Sequence, residues 1–349
     1  MNNSPKMKIQ IKPEEVKNIL VIRKHNQIGD VMVSVPMYYA LKKKYPDSRI
    51  TLLASPTNYP IPFFDINPYL DEVVSFEKSS LKNQIDILKY LKSKKFQIGI
   101  VPSTIRLSVT SHIVNFLSGI KYRIGVNSID NKKNPARFML NIKKDFYWNN
   151  NKTHQLIRNL EIIEQIGCKI NLSEALSIKF QFNGEEKETI KTLNNYFGER
   201  KIIIGLHPGA GKKENIWKTK NFIELIKCLK EKLNCNFLIT IGSTDEEIYN
   251  ELIPAINKEK IKYFVCKNLP IKQLASFINQ CDLFISNDTG VMHIAGWTDV
   301  KLISLFGRTK GFEWASLGKN KFFIQSKSEE IDDIEIEDVF KLAIKILQR

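Results

Sequence analysis

The stretch NILVIRKHNQIGDVMVSVPMYYALKKKYPDSRITLLA, residues 18–54, decides the fold class. Its first six residues are almost wholly apolar, the pattern of a strand covered on both faces in a parallel sheet. Ile28-Gly29-Asp30 reads as a turn, and 30–45 as a helix. Val31, Val35, Tyr38, Leu41 and Tyr45 recur near the helical period, and Lys42, Lys43 and Lys44 fill the last turn, where cations complement the helix dipole. Pro46 and Asp47 break the helix, and 49–54 is a second strand. A strand, a helix and a strand in this order predict a right-handed crossover in a parallel sheet.

The alternation continues outward from this unit. Strands are predicted at 73–76 and 97–101, with a further extended segment within 119–126 and a strand at 176–180. Helices are predicted at 81–95, 107–117 and 154–166. Residues 1–17 read as a frayed polar lead-in, and the domain boundary is placed near residue 180. The second half repeats the scheme, with strands at 201–206, 236–241, 283–286 and 301–306 and helices at 221–232, 245–256, 273–281, 292–297 and 335–347. The fold class is therefore α/β: two doubly wound parallel-sheet domains, 1–180 and 181–349, with ligands expected at the carboxyl ends of the strands, facing a shared cleft.

Composition excludes several classes. With 43% hydrophobic and 26% charged residues, the chain is not disordered from end to end. No window approaches the ~20 apolar residues of a membrane span. The first residues carry no apolar core of a secretory signal. The five cysteines, at 168, 228, 235, 266 and 281, form no CxxC pair and read as small buried hydrophobes in a reducing compartment. The net charge of +16 is unevenly spread: residues 1–150 hold 24 Lys and Arg against 11 Asp and Glu, and the rest is nearly balanced. A basic first half attracts phosphate-rich partners such as nucleic acid, anionic lipid or a phosphorylated glycan.

Three constellations sit where a strand hands over to a helix. In Gln27-Ile28-Gly29-Asp30, glycine lets the backbone approach a ligand, and Asp30 is either a functional carboxylate or a plain helix cap. No GxGxxG dinucleotide fingerprint is present. In His207-Pro208-Gly209-Ala210-Gly211-Lys212-Lys213, backbone N–H groups and lysines suit a phosphate, although the spacing is not that of a P-loop. Ser286-Asn287-Asp288-Thr289-Gly290-Val291-Met292-His293 gathers polar groups at a strand's end. There Asp288 can accept from sugar hydroxyls, and Thr289 and Gly290 can donate to a phosphate.

Three longer segments together, NILVIRKHNQIGDVMVSVPMYYALKKKYPDSRITLL, GLHPGAGKKENIW and DLFISNDTGVMHIAGWTDVKLISLFGRTKGFEW, resemble the ADP-heptose:lipopolysaccharide heptosyltransferases of glycosyltransferase family 9. The resemblance runs from about residue 18 to the C-terminus. It implies a GT-B architecture and an inverting, metal-independent transfer of heptose from ADP-heptose, without a cofactor. By its motifs Asp30 is the general base. Gly209, Ala210, Gly211, Lys212, Asp288, Thr289, Gly290 and His293 face the donor, and Glu246 falls where an acidic residue meets the adenosine ribose. Gly29 and Arg106 are expected on the acceptor side, Arg106 against a carboxylate or phosphate. The chain departs from many members at Asn215, where they have lysine, at Lys218, where they often have proline, and at Gln97-Ile98-Gly99, where they read Asp-Leu-Val.

The implied partners are a nucleotide-sugar and an anionic glycolipid, met at the cytoplasmic face of a membrane by a peripherally bound enzyme. Three other readings compete, the nearest being a family member that uses a different sugar donor or a protein acceptor. An epimerase of the same fold would need a second acid/base pair around the sugar, and none is identifiable. A nucleic-acid binder would use the basic half, but neither RNP aromatics, zinc spacing nor a helix-turn-helix pattern supports it, so no nucleic-acid partner is expected.

Overall fold

Ile19, Leu20, Val21 and Ile22 are all within 1% of full burial, as expected for the central strand of a two-sided sheet. The computed structural model describes residues 11–23, 27–55, 61–76, 80–182, 184–198 and 201–348. The lead-in read over 1–17 lies, for its first ten residues, outside the described residues. The chain divides into two units between Ala175 and Leu176.

The first unit contains β1 (Asn18–Arg23), α1 (Ile28–Met32), α2 (Val35–Lys44), β2 (Arg49–Ala54), α3 (Phe63–Ile66), β3 (Glu72–Ser75), α4 (Leu81–Ser93), β4 (Ile98–Ile100), α5 (Val109–Leu117), β5 (Tyr122–Ile129), β6 (Lys132–Lys133), β7 (Ile142–Phe146), α6 (Gln155–Glu164) and α7 (Leu172–Leu176). The sheet order is β3-β2-β1-β4-β5-β6, with β7 alongside β5. All pairings are parallel except the β5–β6 ribbon.

The second unit adds α8 (Glu185–Phe197), β8 (Ile202–His207), α9 (Thr219–Lys232), β9 (Cys235–Ile241), α10 (Glu246–Lys258), β10 (Tyr263–Lys267), α11 (Ile271–Asn279), β11 (Leu283–Asn287), α12 (Gly290–Gly296), β12 (Lys301–Phe306), α13 (Gly311–Trp314), β13 (Lys321–Gln325) and α14 (Ile336–Leu347). Its six parallel strands run β10-β9-β8-β11-β12-β13. In each unit the first strand lies between its second and fourth, so the winding reverses between β1 and β4 and between β8 and β11. No helix among the described residues is long and apolar enough to cross a membrane.

Several elements differ from the sequence reading. The helix expected over 30–45 is two helices. Pro36 has no N–H for the carbonyl one turn back, and the chain re-forms its helix from Val35 with that proline in the first turn. Residues 177–180 are not a strand: α7 ends at Leu176, and the Phe180 N–H donates to the Trp297 carbonyl at 2.9 Å. All five cysteines are free, and burial pushes the thiols of Cys168 and Cys266 up to about 12.

One buried histidine gives the fold an acid-sensitive point. His112, on the inner side of α5, has no solvent exposure. Its Nε2 accepts from the Asn134 amide at 2.9 Å, which leaves the ring proton on Nδ1. Burial lowers its pKa from 6.5 to about 4. The unfolded chain therefore binds a proton in this window that the folded chain does not. The stability is fully present above about 6.5 and is lost as pH falls toward 4. Up to about 3 kcal/mol is involved. His112→Gln keeps an acceptor for Asn134 and cannot titrate. Urea unfolding at near-neutral and acid pH should show a smaller acid loss for the variant, whereas parallel profiles would remove His112 as the cause.

Candidate functional site

Both reversal points carry the residues singled out from sequence. In the first unit, β1 ends at Arg23, whose buried guanidinium contacts Asp30 Oδ1 through Nη2 at 3.2 Å. Its Nη1 donates to Asn159 Oδ1 on α6 at 2.8 Å. Asn159 is itself held by a bond from Nδ2 to the Gln155 carbonyl at 2.8 Å. Asp30 is 7% exposed and lies in the first turn of α1; the residue capping that helix is Gln27. The plain-cap reading of Asp30 is therefore not what the fold uses.

Asp30 and Arg23 form part of the wall of a solvent-open pocket. Its other wall is the segment after β4, from Val101 to Arg106, with Ser108 and Ser111 from the start of α5. Asp30 and Arg106, far apart in sequence, thus share one pocket. Gly29 is buried beside Asp30 but does not line it. Arg158 of α6 steadies this wall, donating from Nη1 to the Thr104 carbonyl at 3.1 Å and from Nε to the Thr153 carbonyl at 2.8 Å. Two arginines, one carboxylate and several hydroxyls make a pocket able to hold an anionic, hydroxyl-bearing ligand beside a proton acceptor.

In the second unit, β8 and β11 run side by side, Ser286 paired with His207, so their carboxyl ends present the two motifs together. Asn287 joins them. Its Nδ2 donates to the Pro208 carbonyl at 2.8 Å and the Gly209 carbonyl at 3.3 Å, and its Oδ1 accepts from the Trp217 N–H at 3.3 Å. Asn215 donates to Asp288, to Oδ2 at 2.9 Å and to the carbonyl at 3.2 Å. Burial raises the Asp288 pKa, and the Thr309 hydroxyl, the Lys212 charge and the Asn215 amide oppose that rise. Thr289 is extended and precedes α12, which starts at Gly290 and carries His293 as its fourth residue. His293 is 5% exposed, its ring edge-on to Trp314 with centroids 6.2 Å apart.

The Gly209 turn owes its shape to Asp245. A β-carbon on residue 209 would overlap the Asp245 carboxylate, so only glycine fits. Asp245 Oδ2 also accepts the Gly242 N–H at 2.8 Å. His207 is buried and donates from Nδ1 to the Thr240 carbonyl at 3.0 Å. Burial lowers its pKa, which the nearby Asp245 charge partly offsets. Ala210 is buried, whereas Gly211 and Lys212 are exposed. Glu246, next to Asp245, is exposed and ion-paired with Lys267 of β10 at 2.8 Å.

At the far end of α12, the Lys321 Nζ donates to the carbonyls of Ala295, Thr298 and Val300 at 3.1, 2.9 and 2.7 Å. These bonds tie the C-terminal end of α12 to β13. Sequence reading missed Arg23, Asn159, Asp245, Asn287, Thr309 and Lys321, and singled out Asn215 only as a departure from the family. Asn287 and Thr309, inside quoted segments, and Arg23, a charge ending an apolar run, left a signal. No three His, Cys, Asp or Glu side chains among the described residues are grouped as metal ligands.

Comparisons with known proteins identify relatives of the sequence and of the fold. The sequence profile described as Glycosyltransferase family 9 (heptosyltransferase) matches residues 85–344. A Campylobacter jejuni protein named lipooligosaccharide heptosyltransferase 2 is 25% identical over 290 residues, 81% of this chain and 79% of the relative. Among solved structures, the E. coli ADP-heptose lps heptosyltransferase II superposes with a TM-score of 0.70 at 21% identity, covering 95% of this chain and 98% of that one. A family 9 glycosyl transferase from Veillonella parvula gives a TM-score of 0.75 at 19% identity, covering 97% and 99%.

Proposed function

The chain belongs to glycosyltransferase family 9 and is a glycosyltransferase of the two-unit GT-B class, and from that premise we propose that it moves a heptose from ADP-heptose to an anionic lipopolysaccharide core or related glycan. In this reading the donor lies against Gly209–Lys212, Asp288, Thr289, Gly290 and His293 in the second unit, with Glu246 at the ribose. The acceptor enters the first-unit pocket, where Arg106 and Arg23 meet its negative charge. The Asp30 carboxylate takes the proton of the acceptor hydroxyl as its oxygen bonds to the anomeric carbon. The bond from that carbon to the diphosphate breaks, and the configuration inverts. The leaving charge is met by backbone donors, Lys212 and His293 rather than by a metal ion. The enzyme works at the cytoplasmic face of a membrane, bound peripherally.

The observation that carries the reading is the pairing of Asp30 and Arg106 in one pocket at the β1–β4 reversal, in the basic half of the chain. A thermal-shift screen with ADP-, UDP-, GDP- and dTDP-sugars tests the donor. An adenosine donor at ~100 times its Kd should stabilise by about 2.7 kcal/mol. Stabilisation by another nucleotide alone would replace ADP-heptose as donor. Transfer is expected to persist in excess EDTA; loss with chelator and recovery with Mg²⁺ or Mn²⁺ would overturn the metal-independent mechanism.

A further inference from the structure

Helix α5 keeps one face inside and one outside. Ser111, His112, Val114 and Asn115 are buried, whereas Val109, Ile113, Phe116 and Leu117 are 41, 36, 47 and 44% exposed. The spacing i, i+4, i+7, i+8 puts these four on a single stripe. The nine residues VTSHIVNFL carry no charge. An amphipathic helix whose polar and small residues point inward and whose aliphatic and aromatic residues point outward is not solvated by design. Exposed apolar groups gathered in this way mark an interaction surface.

The stripe extends to a second element. Arg123 lies over the Phe116 ring, 5.2 Å from its centroid, and donates from Nε to the Met139 carbonyl at 2.6 Å. That contact sets Phe116 close to the turn Arg137–Met139, in which Phe138 is 74% exposed. The segment that carries both elements is basic: residues 101–144 hold eight Lys and Arg and a single acid, Asp130. Backbone carbonyls hold three of these cations in place without neutralising them: Arg123 donates to Ile120 and Met139, Arg137 to Asn134 and Lys143 to Arg137.

The same segment builds the pocket. Ser108 caps α5, and both Ser108 and Ser111 line the pocket that holds Asp30 and Arg106. Ile105, 51% exposed, belongs to the pocket wall as well. The apolar stripe therefore begins at the pocket's own wall.

We infer that the outer face of α5, with Ile105 and Phe138, is a docking surface for an anionic lipid bilayer, which it enters to interfacial depth beside the pocket. This rests on the reading that the acceptor is a glycolipid, and it gives that acceptor a direct route from the membrane into the pocket. Apolar side chains in the acyl boundary and cations among anionic headgroups are the two contributions that together hold a peripheral protein. Charge decides against the alternatives. A second copy meeting this face across a two-fold axis would set the same basic rim against itself. A nucleic acid would answer the cations and leave Val109, Ile113 and Leu117 without apolar contact.

Flotation of the full chain with phosphatidylcholine vesicles, with and without phosphatidylglycerol, tests this. The wild-type chain should partition at least tenfold more strongly onto the phosphatidylglycerol vesicles, and salt should weaken the binding. The double variants Phe116→Ser/Phe138→Ser and Ile113→Ser/Leu117→Ser should each lose at least tenfold in partitioning while keeping the wild-type melting temperature and stabilisation by ADP. All four side chains are 36% or more exposed, so the variants are expected to fold. Variants that partition like wild type would overturn the surface. So would variants that turn a dimer into a monomer without changing partitioning, or a wild-type chain that prefers an RNA or DNA duplex to the vesicles. Vesicle binding without any stabilisation by a nucleotide-sugar would leave this surface standing and remove the donor reading instead.

Discussion

Asp30→Asn is expected to lower turnover by about two to four orders of magnitude, the range for removing a positioned proton acceptor. Asparagine has the shape of aspartate and can still accept from Arg23 Nη2 at the observed 3.2 Å, so the pocket keeps its form. What it cannot do is take the acceptor's proton as the new glycosidic bond forms. The residues assigned to the donor belong to the other unit, so donor affinity should stay close to wild type. The loss should therefore appear in kcat with little change in the donor's KM. Arg23 also keeps its bond to Asn159, although a buried guanidinium that loses its counter-charge costs some stability. Assays are best run well below the variant's melting temperature. Near-wild-type turnover would remove Asp30 from the role of base.

His293→Ala is expected to cost about 2–4 kcal/mol of transition-state stabilisation, the scale for one preorganised donor facing developing negative charge. The side chain is buried at the fourth position of α12, the helix that follows Asp288 and Thr289, and its ring meets Trp314 edge-on. Alanine also opens a cavity, so stability alone would fall. His293→Gln separates the two effects, because it fills most of the space and restores an N–H donor. Partial recovery of kcat with Gln, at similar melting temperatures, is the expected pattern. Equal turnover in all three proteins would make His293 a packing residue.

Most of the doubly wound pattern was readable because central strands must be apolar throughout. β1, β2, β8, β11 and β12 announce themselves by runs such as NILVIR and KLISLF. The strands that escaped are those at or near the edges. β10 and β13 are the two edges of the second sheet and only partly buried, and YFVCK and KFFIQ mix their apolar residues with lysine and glutamine. β7 alternates instead, IKKDF with only its ends buried. Among site residues, those within a motif were legible and those that hold the motif in place were not. Glu246 stood out by its position, yet the buried Asp245 beside it shapes the Gly209 turn. Nothing in the order of residues 209 and 245 signals that their side chain and backbone must interlock. The same holds for Asn159 and Arg23, 136 residues apart and in contact only once α6 has packed.

The strand order has a consequence for how the chain acquires its shape. Ile19 pairs with Ile50 and with Ile98, and Ile204 with Phe237 and with Leu283. In each unit the central strand thus finds one neighbour roughly 30 residues along and the other roughly 80 along. Closing the longer loop costs only about 0.8 kcal/mol more than the shorter, but it must wait for the intervening helices and strands to be made. The first-unit pocket and the paired motifs of the second unit both sit at the later of these closures. Each half can hold a good deal of secondary structure, and most of its helices, before either site exists. A nascent or refolding chain then has no assembled site until its longer central pairing forms, and ligand binding can stabilise it only from that point on.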